Sequence, residues 1–217
     1  MIAYLFPPIG GGGVQRTVRF AKYLPRFGWT SAVLTVEEKK YKSGWWKTLD
    51  PELLQVLPSE ISVYRTFSLD WIFQGRPGKL LHYLSRIFFT PDDQFITWLP
   101  FALKMGLKII SKEKIDVIYT TSYPYSNHLI GLLLRKITEK PWIADFRDPW
   151  TTNPNYRPIS RIHKSIDKYL ESQIYKNCDF LLTSTDGYRQ ELLNNFPFVK
   201  QEKVHTITNG FDPDDFE

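Results

Sequence analysis

Short apolar runs alternate with longer amphipathic stretches along the chain. Residues 2–6 read as a strand entering a turn. Residues 14–27 place Val14, Val18, Ala21 and Leu24 at three- and four-residue spacing, which predicts an amphipathic helix, and Gly28 stands where a left-handed C-cap belongs. Residues 30–36 and 61–67 predict two further strands. From residue 99 the alternation is regular: helices over 99–114, 127–138, 159–176 and 186–195 separate strands over 116–121, 142–146, 180–184 and 204–208. Between these, residues 37–58 carry the Trp45-Trp46 pair and a short helical run at 51–57. Residues 69–91 mix aromatic, basic, Gly and Pro residues, and predict an irregular excursion with one helix at 78–88. This alternation predicts an α/β fold, a Rossmann-like parallel sheet with helices on both faces. The domain is expected over residues 1–208, with 209–217 leaving it through the turn dipeptide Asn209-Gly210.

Composition narrows the class. The chain has 217 residues, 42% of them apolar, which suits one large domain at about 150 residues per domain and excludes disordered and collagen-like classes. Its one cysteine, Cys178, excludes a disulfide framework or a cysteine-built zinc site within the chain, and fits a reducing, cytoplasmic setting. The first eight residues lack the basic region of a signal peptide, and no stretch reaches about 18 uncharged apolar residues. A formal charge of +5 favours anionic partners without choosing among phosphates, acidic lipids and nucleic acid.

Four glycines, Gly10 to Gly13, lie between the first strand and the first helix. In an open parallel sheet, ligands collect at the carboxyl ends of strands. Without Cβ atoms, the backbone N–H groups of Gly11, Gly12 and Gly13 can approach an anion beside the positive end of the helix dipole. Diphosphate is the expected anion; a ligand-free tight turn is the alternative. The dinucleotide fingerprint G-x-G-x-x-G fails, because its third glycine falls on Gln15 or Arg16, and no G-K-[ST] follows. Glu37, after the next strand, imitates a ribose-binding acid and keeps a nicotinamide or flavin oxidoreductase open as an alternative. Arg16 and Arg19 either add positive charge to the loop or are solvated.

The segment Asp145-Phe146-Arg147-Asp148-Pro149-Trp150 follows a buried-strand pattern. Asp145, Arg147 and Asp148 supply two acceptors and a forked donor, and Trp150 a flat ring, a set suited to a polyhydroxylated ligand. An internal salt bridge fixing a turn is the alternative. A carboxylate here, Asp145 first, is a candidate general base. His128, in the first turn of the helix after the 116–121 strand, is either a catalytic residue facing the same cleft or a cap-region hydrogen-bonding residue. Asp212-Pro213-Asp214 has D-x-D spacing but reads as a solvated acidic linker, so no metal site is expected. The aromatic and basic stretch from Trp71 to Trp98 reads first as a packed helical hairpin, then as a membrane interface, and last as a surface for single-stranded nucleic acid.

Four stretches in order resemble the amino-terminal half of a GT-B glycosyltransferase of glycosyltransferase family 4 (group 1): Phe6-Pro7-Pro8 with Gly10 to Gly13; residues 116–122 continuing to His128-Leu129-Ile130-Gly131; residues 145–150; and Ile207-Thr208-Asn209-Gly210-Phe211-Asp212, similar to the hinge into a second domain. The resemblance implies an acceptor-binding domain of a retaining, metal-independent enzyme of hexosyltransferase type. Such an enzyme moves a sugar from a nucleotide-diphosphate sugar to a glycan or lipid-linked acceptor. Gly11, Gly12 and Gly13 would face the donor diphosphate, Arg147, Asp148 and Trp150 the acceptor, and His128 and Asp145 the reacting centre. It also implies a carboxyl-terminal domain beyond the hinge that holds most of the donor. This chain alone is then expected to be inactive. Many members carry a His at the strand end that here reads Tyr119-Thr120-Thr121-Ser122; this sequence has none there. No cofactor and no nucleic acid are expected, and peripheral contact with the cytoplasmic membrane face is a further expectation. A non-catalytic anion-binding module remains the second alternative.

Overall fold

A computed structural model describes residues 1–37, 48–69 and 94–216. Among them, every strand pair is parallel. β1 (Ala32–Val36) pairs with β2 (Ser62–Thr66), while β3 (Ile118–Thr121), β4 (Trp142–Phe146), β5 (Phe180–Thr183) and β6 (Val204–Thr206) pair in sequence order. The amino-terminal run joins the two groups: Ile2 bridges both Leu34 and Thr120. Its N–H donates to Tyr119 O at 2.8 Å, and that of Ala3 to Leu34 O at 3.1 Å. The expected first strand is thus a short central bridge rather than a five-residue ladder.

The helices follow their apolar spacing. α1 (Gly12–Tyr23) gives way to a 3-10 turn over Leu24–Phe27, because Pro25 has no N–H with which to continue it. Gly28, at φ 79°, closes that turn in the left-handed conformation its position predicts. α2 (Leu99–Lys112), α3 (Ser126–Thr138), α4 (Arg161–Asn177) and α5 (Asp186–Asn195) complete the set.

Both faces of the sheet are covered, and β1 shows why. Leu34 and Val36 join the larger core with Trp98, Ala102, Ile109 and Trp142, whereas Val33 packs with Phe6 and with Val18 of α1. Alternate residues of one strand therefore meet helices on opposite sides. Gly131 lets α3 lie close on the sheet: a Cβ there would come within 2.6 Å of Thr120 Cγ2 and 2.7 Å of the Trp142 ring. The buried indoles keep their hydrogen bonds, Trp98 Nε1 donating to Thr66 Oγ1 at 2.7 Å and Trp142 Nε1 to Thr120 Oγ1 at 2.9 Å. The Trp45-Trp46 pair, Glu37's following loop and the expected helix at 78–88 lie outside the described residues, as does most of the stretch from Trp71 to Trp98. Parallel strands send their carboxyl ends to one edge, where the glycine turn, the start of α3 and the loop after β4 emerge.

Candidate active site

Gly11 caps α1 at φ +89°, a conformation that favours glycine, and it brings no capping side chain; no acid occupies the first turn. A Cβ on Gly11 or Gly12 would meet nothing within 4 Å, so open space fronts the helix N-terminus. Behind the turn, Gly10 N–H donates to Thr48 O at 3.0 Å and Asp50 N–H to Pro8 O at 2.8 Å. At its far side, Arg147 Nη1 donates to Gly13 O at 2.7 Å. The glycine turn and the loop after β4 therefore stand side by side. Ser184 Oγ, donating to Arg147 O at 2.7 Å, holds that loop against the end of β5. Asp148 is exposed beside Arg147, its Oδ2 3.4 Å from Nε.

Asp145 is placed differently from the expected general base. It has no exposed surface, and Arg16 meets it with both arms of its guanidinium, Nε to Oδ2 at 2.6 Å and Nη2 to Oδ1 at 3.1 Å. Tyr119 Oη donates to the same Oδ2. Burial, and then the Asp145 charge, push the Tyr119 phenol well above its ordinary pKa, so it stays a donor. Burial alone would lower the Arg16 pKa, but its contacts with Asp145 outweigh this and raise it. Its position in the sequence suits loop charge or a solvated residue, but Arg16 is neither. Its Nη1 reaches onward to Ile207 O at 2.8 Å, and to Thr208 O and Asn209 Oδ1 at 3.3 Å. One side chain thus joins the helix behind the glycine turn, the end of β4 and the segment leaving the domain.

His128 is also fully buried. Its ring stacks on Phe146 with centroids 4.1 Å apart, and Nδ1 lies 2.7 Å from Thr120 Oγ1. Thr120 Oγ1 also accepts from Trp142 Nε1 at 2.9 Å. Burial lowers the His128 pKa from 6.5 to about 3, so the ring is neutral. Trp150, expected as a sugar platform, is 1% exposed and stacks on Tyr125, centroids 4.8 Å apart and planes 4° off parallel. A platform needs an open face, and Trp150 does not offer one. Tyr125 Oη donates to Pro149 O at 2.5 Å, tying the start of α3 to the same loop.

Ser122 and Asn127 also belong to this end of the sheet, though neither stands out in the sequence. Ser122 Oγ, Asn127 Oδ1 and His128 Nε2 are buried at the end of β3 and the start of α3 without a hydrogen-bond partner among the described residues. Their signal was the run Ser122 to His128 directly after an apolar strand. The acidic tail is expected to be solvated, which holds for the exposed Asp214 and Asp215 but not for its first acid. Asp212 is buried, and accepts from Arg19 Nη1 at 2.7 Å, Lys22 Nζ at 2.8 Å and Tyr23 Oη at 2.5 Å. These contacts offset the cost of its burial and lower its pKa to about 2. The D-x-D spacing is thus occupied by cations of α1.

Residues 10–215 match the sequence profile of Glycosyltransferase Family 4. The chain belongs to glycosyltransferase family 4. No curated protein matches it in sequence closely enough to count as a relative. Among solved structures, Alr3699/HepE of Anabaena in complex with UDP and glucose is similar over 98% of this chain and 45% of its own, with a TM-score of 0.54 at 13% identity. The same Anabaena protein in complex with UDP-glucose gives 97%, 44%, 0.55 and 13%. At that identity the likeness shows the fold: this family 4 chain has the architecture of the amino-terminal half of a GT-B glycosyltransferase, and spans less than half the length of that protein. Family membership leaves the oxidoreductase alternative without support.

Proposed function

We propose that this domain is the acceptor side of a retaining glycosyltransferase that takes sugar from a nucleotide-diphosphate sugar, of the kind seen bound to the Anabaena protein. Gly11, Gly12 and Gly13 present the N-terminus of α1 to the donor diphosphate; Arg147 and Asp148 hold the acceptor, a glycan or lipid-linked sugar. The observation that carries the reading is the Arg147–Gly13 hydrogen bond, which sets the bare turn and the polar loop against each other at one sheet edge.

Asp145 and His128 act here by holding the edge in shape, through Arg16 and Thr120, rather than by proton transfer. That fits a retaining transfer, in which the leaving diphosphate takes the acceptor proton and no protein base is required. The reading assigns no metal and places the enzyme in the cytoplasm. It is tested by incubating the whole parent protein with a panel of nucleotide-diphosphate sugars and cell-extract acceptors, with and without chelator. Nucleoside diphosphate release that depends on acceptor and survives chelation is the expected result; no release from any donor overturns it.

A further inference from the structure

α4 buries Ile174 and Tyr175 in the core, as a surface helix does, but departs from the usual arrangement in also burying acids and exposing apolar residues. Its acidic residues, Asp167 and Glu171, point inward and are buried. Asp167 Oδ2 accepts from Tyr156 Oη at 2.6 Å, and Glu171 accepts from Thr151 Oγ1 at 2.5 Å and Tyr175 Oη at 2.7 Å. The outward face carries Ile162, Ile166 and Tyr169, exposed to 70%, 40% and 62%. Spaced four and three residues apart, they form one stripe, lining an open hollow of about 380 Å³ with Arg161 and Ser165. The charged side chains exposed along α4 are Arg161, Lys164, Lys168 and Lys176, all basic.

We propose that this face of α4 docks on an anionic lipid bilayer. An apolar stripe rimmed by cations alone matches the interface between headgroups and acyl chains: the aliphatic and tyrosyl side chains enter the apolar layer while the Arg and Lys heads stay at the phosphates. A protein groove would meet the stripe equally well, but would gain nothing specific from the absence of exposed acid along α4; a negatively charged lipid surface does. The helix lies apart from the stretch from Trp71 to Trp98 in sequence, and none of its residues contributes to the glycine turn. The loop that runs from Asp148 to α4 is held against the helix by Thr151 on Glu171 and Tyr156 on Asp167. Docked this way, the domain sets that loop toward the headgroup layer, where a lipid-linked sugar lies; only this last consequence rests on the transferase reading.

The test uses the full natural protein and vesicles of phosphatidylcholine with or without phosphatidylglycerol. Wild type should sediment with the anionic vesicles, not with the neutral ones, and be released by salt. Ile162→Ser/Ile166→Ser should lose binding, and Lys164→Glu/Lys168→Glu should weaken it about twenty-fold or more, each lost cation being worth roughly five-fold. Ile137→Ser, at an equally exposed site on α3, should bind as wild type. Circular dichroism guards against unfolding, which is not expected at exposed positions. Failure of wild type to bind anionic vesicles, or equal binding by both double variants, overturns the proposal. So does a concentration-dependent dimer that the Ile variants abolish without any lipid effect, which would make a second copy the occupant.

Discussion

Arg16 and Asp145, 129 residues apart, share two hydrogen bonds with almost no exposed surface on either side chain. The pair fixes α1 against β4, and Arg16 extends it to the segment leaving β6. Removing one partner leaves a buried charge uncompensated, which costs about 3–5 kcal/mol. Asp145→Ala and Arg16→Met should each lower the unfolding free energy from urea denaturation by that order, and Arg16→Lys by a smaller but clear amount, because a point cation cannot span both oxygens. Wild-type stability in all three variants would remove the pair from its structural role.

Two buried groups give opposite pH dependences. Burial first, opposed by hydrogen bonds from Thr151 and Tyr175, raises Glu171 from an ordinary 4.5 to about 7. The folded state then holds more protons than the unfolded one between those values, so Glu171 lowers stability progressively as pH rises from 4.5 to 7. His128 runs the other way: with its pKa lowered to about 3, the unfolded state holds more protons below 6.5, and stability falls as pH drops from 6.5 toward 3. At their limits the effects are on the order of 3 kcal/mol for Glu171 and 5 kcal/mol for His128. Urea midpoints against pH should show Glu171→Gln losing less than wild type above pH 6, and His128→Asn losing less below it. Parallel pH curves for the three proteins would contradict the assignment.

The tail is held by α1 chiefly through Asp212. Asp214 and Asp215 also pair with Lys22 and Arg19, but their side chains are half exposed and worth little by themselves. Asp212→Ala should therefore speed proteolytic cleavage near Phe211 severalfold and raise amide exchange over 209–215, whereas Asp214→Ala should do neither. Equal protection in both variants would mean that Asp212 does not hold the tail.

The alternation of strand and helix was legible because a covered parallel sheet imposes it: β4 and α5 run over the same residues that apolar spacing marks, and Gly28 closes its turn as its position predicts. The glycine turn and the loop after β4 were legible as neighbours from topology alone. What the sequence did not disclose was which charges are buried. Arg16 and Arg19 sit three apart on one helix, and only tertiary packing decides that the first enters the core while the second reaches the tail. Trp150 and His128 carry chemistry useful to a sugar site, but also fill volume, and the neighbours that stack on them, Tyr125 and Phe146, are distant or unremarked in sequence. Asp212 reads as solvated until Lys22 and Tyr23 are seen beside it.

The account turns on the open space before Gly12. A Cβ there meets nothing within 4 Å, so Gly12→Ala and Gly12→Trp should both fold, but the indole would occupy the place assigned to the donor diphosphate. The decisive measurement is sugar transfer by the full parent enzyme carrying each substitution. Near wild-type turnover for Gly12→Ala and a loss of about a hundred-fold or more for Gly12→Trp, at unchanged thermal stability, is the predicted result. Unchanged turnover with tryptophan at that position would show that the donor diphosphate binds elsewhere.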